Sequence, residues 1–61
     1  MIKVQNVGNC CTITLARPEK ANALTEGMLA ALASAATDAA TNGAKVLILT
    51  GEGKVFSAGA D

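Results

Sequence analysis

Histidine, tryptophan and tyrosine are absent from this 61-residue chain, and phenylalanine and proline each occur once. Without histidine, and with its only two cysteines adjacent at positions 10 and 11, the sequence offers no spacing of metal ligands. Charge of either sign is scarce: five basic residues meet five acidic ones, for a formal net charge of zero. A nucleic-acid-binding surface needs a basic stripe with stacking aromatics, so that class is excluded as well. The apolar residues are too interrupted for a membrane span. The opening Met1-Ile2-Lys3-Val4 lacks the apolar core of a signal peptide, so the expected location is the cytoplasm. Neighbouring residues on a strand point to opposite faces, and a disulfide between them is strained. Cys10 and Cys11 therefore read as one half-exposed and one buried thiol, not as a redox pair.

What the sequence does have is concentrated in its last third. Val46-Leu47-Ile48-Leu49 is an unbroken apolar run, of strand length and too short for a typical helix. A run with no polar face belongs to a strand covered on both sides, as in parallel sheets. Gly51-Glu52-Gly53 breaks it with a turn, and after Phe56 the side chains shrink to Ser57-Ala58-Gly59-Ala60. Small residues in series let a ligand approach the backbone, and glycine frees the dihedrals that aim a peptide N–H. Three phosphate or nucleophile motifs fail here on required residues. Phe56 replaces the last glycine of a dinucleotide fingerprint, Ile48 the first glycine of a Walker A loop, and Val55 the first glycine of a nucleophile elbow around Ser57.

Upstream, Ile2–Val7 alternates weakly, Gly8-Asn9 is a two-residue turn, and Cys11, Ile13 and Leu15 share one face of a second strand. Residues 16–23 form a loop in which Pro18 fixes its own φ and pushes Arg17 toward an extended conformation. Arg17, Glu19 and Lys20 read as a solvated charged loop. Thr25 can cap a helix, with Glu26 in its first turn and Leu24 placed to pack against Met28. Met28, Leu32, Ala35, Ala36 and Ala39 recur at helical spacing, and Asn42-Gly43 supplies the stop. The alanine stripe predicts close packing against a sheet. The order is hairpin, helix, buried strand, with a strand–helix–strand crossover that should be right-handed.

Two segments together resemble one family. Leu49-Thr50-Gly51-Glu52-Gly53-Lys54-Val55-Phe56-Ser57-Ala58-Gly59-Ala60-Asp61 is similar to the signature of the crotonase (enoyl-CoA hydratase/isomerase) superfamily. Ile13-Thr14-Leu15-Ala16-Arg17-Pro18-Glu19-Lys20-Ala21-Asn22-Ala23-Leu24 looks like that family's first conserved segment. The resemblance implies an α/β fold, the N-terminal part of a crotonase-like ββα spiral. Residues 1–61 would then be the leading portion of a single domain, incomplete at its C-terminal end and inactive alone.

The implied activity is that of an acyl-CoA-processing enzyme of the hydratase/isomerase type, which stabilises a thioester enolate between backbone N–H groups. By the match of the motif, the first such donor is the N–H of Ala60. Lys20, Ala21 and Ala23 would lie along the nucleotide part of coenzyme A. Ala58 and Gly59 would lie along the pantetheine path, and Asp61 would begin the following turn at the same binding surface. For Asp61 alone a helix-capping carboxylate is the simpler role. Ser57 has no base within reach in the sequence and reads as a small filler. Coenzyme A is part of the substrate, so no separate cofactor is implied, and family resemblance suggests a trimer or a dimer of trimers. Acyl-CoA hydrolase, dehalogenase or decarboxylase chemistry, or a non-catalytic relative, are alternatives, since those reactions differ in residues beyond Asp61.

Overall fold

The computed structural model describes residues 1–59. Two antiparallel strands, β1 (Ile2–Val7) and β2 (Cys10–Leu15), form the expected hairpin, and Gly8 supplies the positive φ of its turn, +61°. After a short 3-10 turn over Pro18–Lys20 comes one helix, α1 (Glu26–Thr41), and then a third strand, β3 (Val46–Gly51). β3 returns parallel to β2, giving a three-stranded sheet in the order β1-β2-β3.

Both ends of α1 follow from local chemistry. Thr25 adopts an extended conformation and its side chain accepts the Met28 N–H at 3.1 Å, satisfying one of the helix's orphan donors. At the other end Gly43 takes φ +85°, its N–H donates to the Ala40 carbonyl, and the Ala44 N–H donates to the Ala39 carbonyl. That double bond pattern is a Schellman motif, and Ala44 carries its accompanying apolar contact into the core.

The register sorts the sheet into two faces. Ile2, Val4 and Asn6 stand opposite Leu15, Ile13 and Cys11, which in turn pair with Gly51, Leu49 and Leu47. This is the face that α1 covers, over β1 and β2. Cys11, Ile13 and Ala39 form the core, with Ile2, Leu32, Ala35 and Ala44 packed around it. Leu15 and Met28 are buried nearer the start of the helix. Full burial of Ile13, Leu15 and Met28 contributes about 1.5–3 kcal/mol each. The cysteines are as expected, Cys11 buried and Cys10 half-buried, both free thiols.

β3 differs from expectation in its burial. Val46, Leu47, Ile48 and Leu49 remain 51, 50, 45 and 42% exposed. The helix leans over the other two strands, and among the described residues no element covers the opposite face of the sheet. On that opposite face Lys3 Nζ donates to Glu52 Oε2 at 2.6 Å, an exposed pair that contributes at most about 1 kcal/mol.

Candidate functional site

β2 and β3 are parallel, so their carboxyl ends lie at one edge of the sheet, where loops of α/β folds commonly build sites. From Leu15 the chain enters the loop 16–24, and from Gly51 the loop 52–59. These are the two segments that carry the family resemblance, and the structure brings them together.

Asn22 joins them. It is fully buried, and its side chain makes three hydrogen bonds: Oδ1 accepts the Arg17 N–H at 2.8 Å, and Nδ2 donates to the carbonyls of Glu52 at 2.7 Å and Val55 at 2.8 Å. Only one orientation of the amide satisfies all three partners. The backbone of Asn22 adds to the junction. Its N–H donates to the Arg17 carbonyl at 2.8 Å, and its carbonyl accepts the Ser57 hydroxyl at 3.0 Å. Ala21 and Asn22 both take left-handed conformations, φ +51° and +56°. For a residue with a Cβ that costs roughly 1–2 kcal/mol, least for asparagine, so the surrounding bonds must hold the pair there.

The sequence-predicted site residues sit around this junction. Lys20 ends the 3-10 turn and is exposed; Ala21 and Ala23 are half-buried. The Ala21 carbonyl accepts the Ala58 N–H at 2.9 Å, and the Ala23 carbonyl accepts Arg17 Nη1 at 3.0 Å. Gly59 is bound on both sides: its carbonyl accepts the Leu24 N–H at 2.8 Å, and its own N–H donates to Ser57 Oγ at 3.0 Å. The Ala58 and Gly59 amides are thus both used within the junction. Ala60 and Asp61, the expected oxyanion donor and its neighbour, lie outside the described residues.

The profile of the enoyl-CoA hydratase/isomerase family matches residues 5–61 of the chain. The chain belongs to that family. A protein named probable enoyl-CoA hydratase from Mycobacterium tuberculosis is 39% identical over 61 residues, which cover all of this chain and 25% of that protein. Among solved structures, a probable enoyl-CoA hydratase from Mycobacterium smegmatis matches 98% of the chain with a TM-score of 0.92 and 48% identity, over 25% of its own length. An enoyl-CoA hydratase from Thermoplasma volcanium matches 98% of the chain with a TM-score of 0.86 and 43% identity, over 24% of its length. The hairpin, helix and strand are therefore the opening elements of the enoyl-CoA hydratase/isomerase fold, as the resemblance implied. The chain spans about a quarter of the length of these relatives.

Two residues hold this junction in ways that no pattern in the sequence announces. Asn22 stands between Ala21 and Ala23, and its long-range partners lie 30 and 33 positions away. One local signal was available: asparagine is among the few residues that tolerate a left-handed conformation after a proline turn. Ser57, expected to be a filler, makes hydrogen bonds with both loops. Among the described residues no cluster of acidic, cysteine or histidine side chains could hold a metal ion, and no helix is long and apolar enough to cross a membrane.

Gly51 completes the junction by lacking a side chain. A Cβ there would fall on the Phe56 carbonyl oxygen and come within 2.9 Å of Asn22 Nδ2. Backbone cannot step aside cheaply, so Gly51→Ala should lower the unfolding free energy by about 2 kcal/mol, as overpacking does. Denaturant unfolding of the complete protein measures it, and an unchanged midpoint would show that the loop shifts freely.

Proposed function

We propose that this chain is the leading portion of an acyl-CoA-processing domain of the enoyl-CoA hydratase/isomerase type, which binds a thioester oxygen with backbone N–H groups. The observation that carries this reading is the junction itself: the two family segments are locked together by hydrogen bonds at the carboxyl ends of parallel strands. Ala58 and Gly59 spend their amides inside the junction, so neither of them is the free donor for a ligand oxygen. The family motif puts it at Ala60. A preorganised donor at a developing oxyanion contributes about 3–4 kcal/mol to the transition state.

In this reading Lys20, Ala21 and Ala23 lie along the nucleotide end of coenzyme A, Ala58 and Gly59 along its pantetheine path, and Asp61 at the start of the following turn of the same binding surface. The Ala21 and Ala23 carbonyls each keep a second lone pair for a ligand donor. No cofactor beyond the CoA of the substrate is required. The half-exposed apolar residues of β3 support the view that residues 1–61 are one part of a larger domain, because such an edge is normally covered. The piece alone is then inactive, and the complete domain works as a cytoplasmic homo-oligomer, a trimer or a dimer of trimers.

Amide hydrogen exchange of the complete domain, with and without an acyl-CoA, tests the binding mode. Protection should rise in residues 20–23 and 57–59. Unchanged exchange in both segments would contradict the reading.

A further inference from the structure

We infer that the Ser57 hydroxyl is a positioning group that holds Gly59, and through Gly59 the backbone donor that follows it. The inference rests on the acyl-CoA reading above. Glycine is the residue with the greatest backbone freedom, and Gly59 sits at φ +98°, with nothing among the described residues within 4 Å of where a Cβ would be. Among the described residues no side-chain packing holds it. Two hydrogen bonds do, one on each flanking peptide: the N–H to Ser57 Oγ at 3.0 Å, and the carbonyl to the Leu24 N–H at 2.8 Å. Fixing both peptides fixes φ and ψ between them. The atoms of one planar peptide move together, so a bond that holds the Gly59 carbonyl restrains the whole of that peptide.

Ser57 suits this task because a hydroxyl accepts and donates at once. It accepts from Gly59 and gives its single proton to the Asn22 carbonyl at 3.0 Å. Asn22 is the most firmly anchored point of the junction, buried and bonded to both loops. Ser57 thus ties the most mobile residue type in the segment to its least mobile neighbour. It also keeps the Gly59 N–H from competing for the ligand oxygen.

The test uses the complete domain with Ser57→Ala, Ser57→Thr and two readouts. Ser57→Ala removes the hydroxyl and should lower kcat by roughly 3- to 10-fold, the effect of one ordinary hydrogen bond, with KM for acyl-CoA changed by less than about twofold. Ser57→Thr keeps the hydroxyl and should restore kcat. Without substrate, Gly59 amide exchange should be slow in the parent and in Ser57→Thr, and about tenfold faster in Ser57→Ala. Parent kcat in Ser57→Ala, an equal loss in both variants, a loss confined to KM, or Gly59 exchange indifferent to the hydroxyl would each overturn the inference. A parent domain that neither binds nor turns over acyl-CoA refutes the functional reading, and with it the role in turnover. Gly59 exchange then still decides whether Ser57 holds the loop.

Discussion

Asn22→Leu should destabilise the complete domain by about 3–5 kcal/mol, the largest loss of stability expected from any single side chain in this segment. Leucine is close to asparagine in shape but can serve none of its partners. The Arg17 N–H and the carbonyls of Glu52 and Val55 would each lose a bond of 2.7–2.8 Å at a fully buried side chain. Each polar group left without a partner there costs about 1–3 kcal/mol, and partial access to water puts these three at the lower end. Leucine in the left-handed conformation adds about 1 kcal/mol more. Two further variants separate the contributions. Asn22→Gly keeps the backbone conformation and loses only the side chain, so it should be milder than Asn22→Leu. Asn22→Asp keeps the acceptor for Arg17 but turns an oxygen toward two carbonyl oxygens, and should be at least as damaging as Asn22→Gly. Equal stability of Asn22→Leu and the parent in denaturant would show that the two loops do not depend on this residue.

The contrast between Asn22 and α1 shows what a sequence exposes. The helix was legible because its determinants are local: the Thr25 hydroxyl reaches an amide three residues on, and Gly43 needs only its own φ. The inward face of β2 was legible for the same reason, since Cys11, Ile13 and Leu15 alternate and all three are buried. The strand over Val46–Leu49 could be recognised from its composition, but its burial could not. Burial depends on which elements cover a strand, and α1 covers its neighbours instead. At the site, the family motifs identified the two segments that meet. What joins them is set by side chain to backbone bonds across 30 to 35 positions of sequence, which leave no periodicity to read. By sequence alone Ser57 reads as a small filler with no base beside it. Its hydroxyl serves instead as a bridge between backbone groups.

The largest expected effect on turnover comes from Ala60. If its amide is the oxyanion donor, the side chain matters little and the hydrogen matters greatly. Ala60→Gly should then be mild apart from added backbone freedom. Ala60→Pro removes the donor and should lower kcat in the complete domain by on the order of 10²–10³, the usual cost of losing one oxyanion-hole donor. Binding of CoA, which in the proposed reading draws on contacts spread along residues 20–23 and 58–59, should change far less. Proline also fixes φ and can displace the loop, so the stability of the variant and its affinity for CoA are measured beside its rate. A fall in affinity as large as the fall in kcat would point to a displaced loop and not to a lost donor.

The most direct measurement avoids that disturbance by replacing the peptide N–H at position 60 with an ester oxygen. The substitution deletes one hydrogen-bond donor and leaves every side chain as it was. The ester form of the complete domain should fold, bind acyl-CoA with nearly the parent affinity, and turn it over about 10²–10³ times more slowly. An ester form that folds, binds acyl-CoA and turns it over at the parent rate would contradict the assignment of the donor to Ala60.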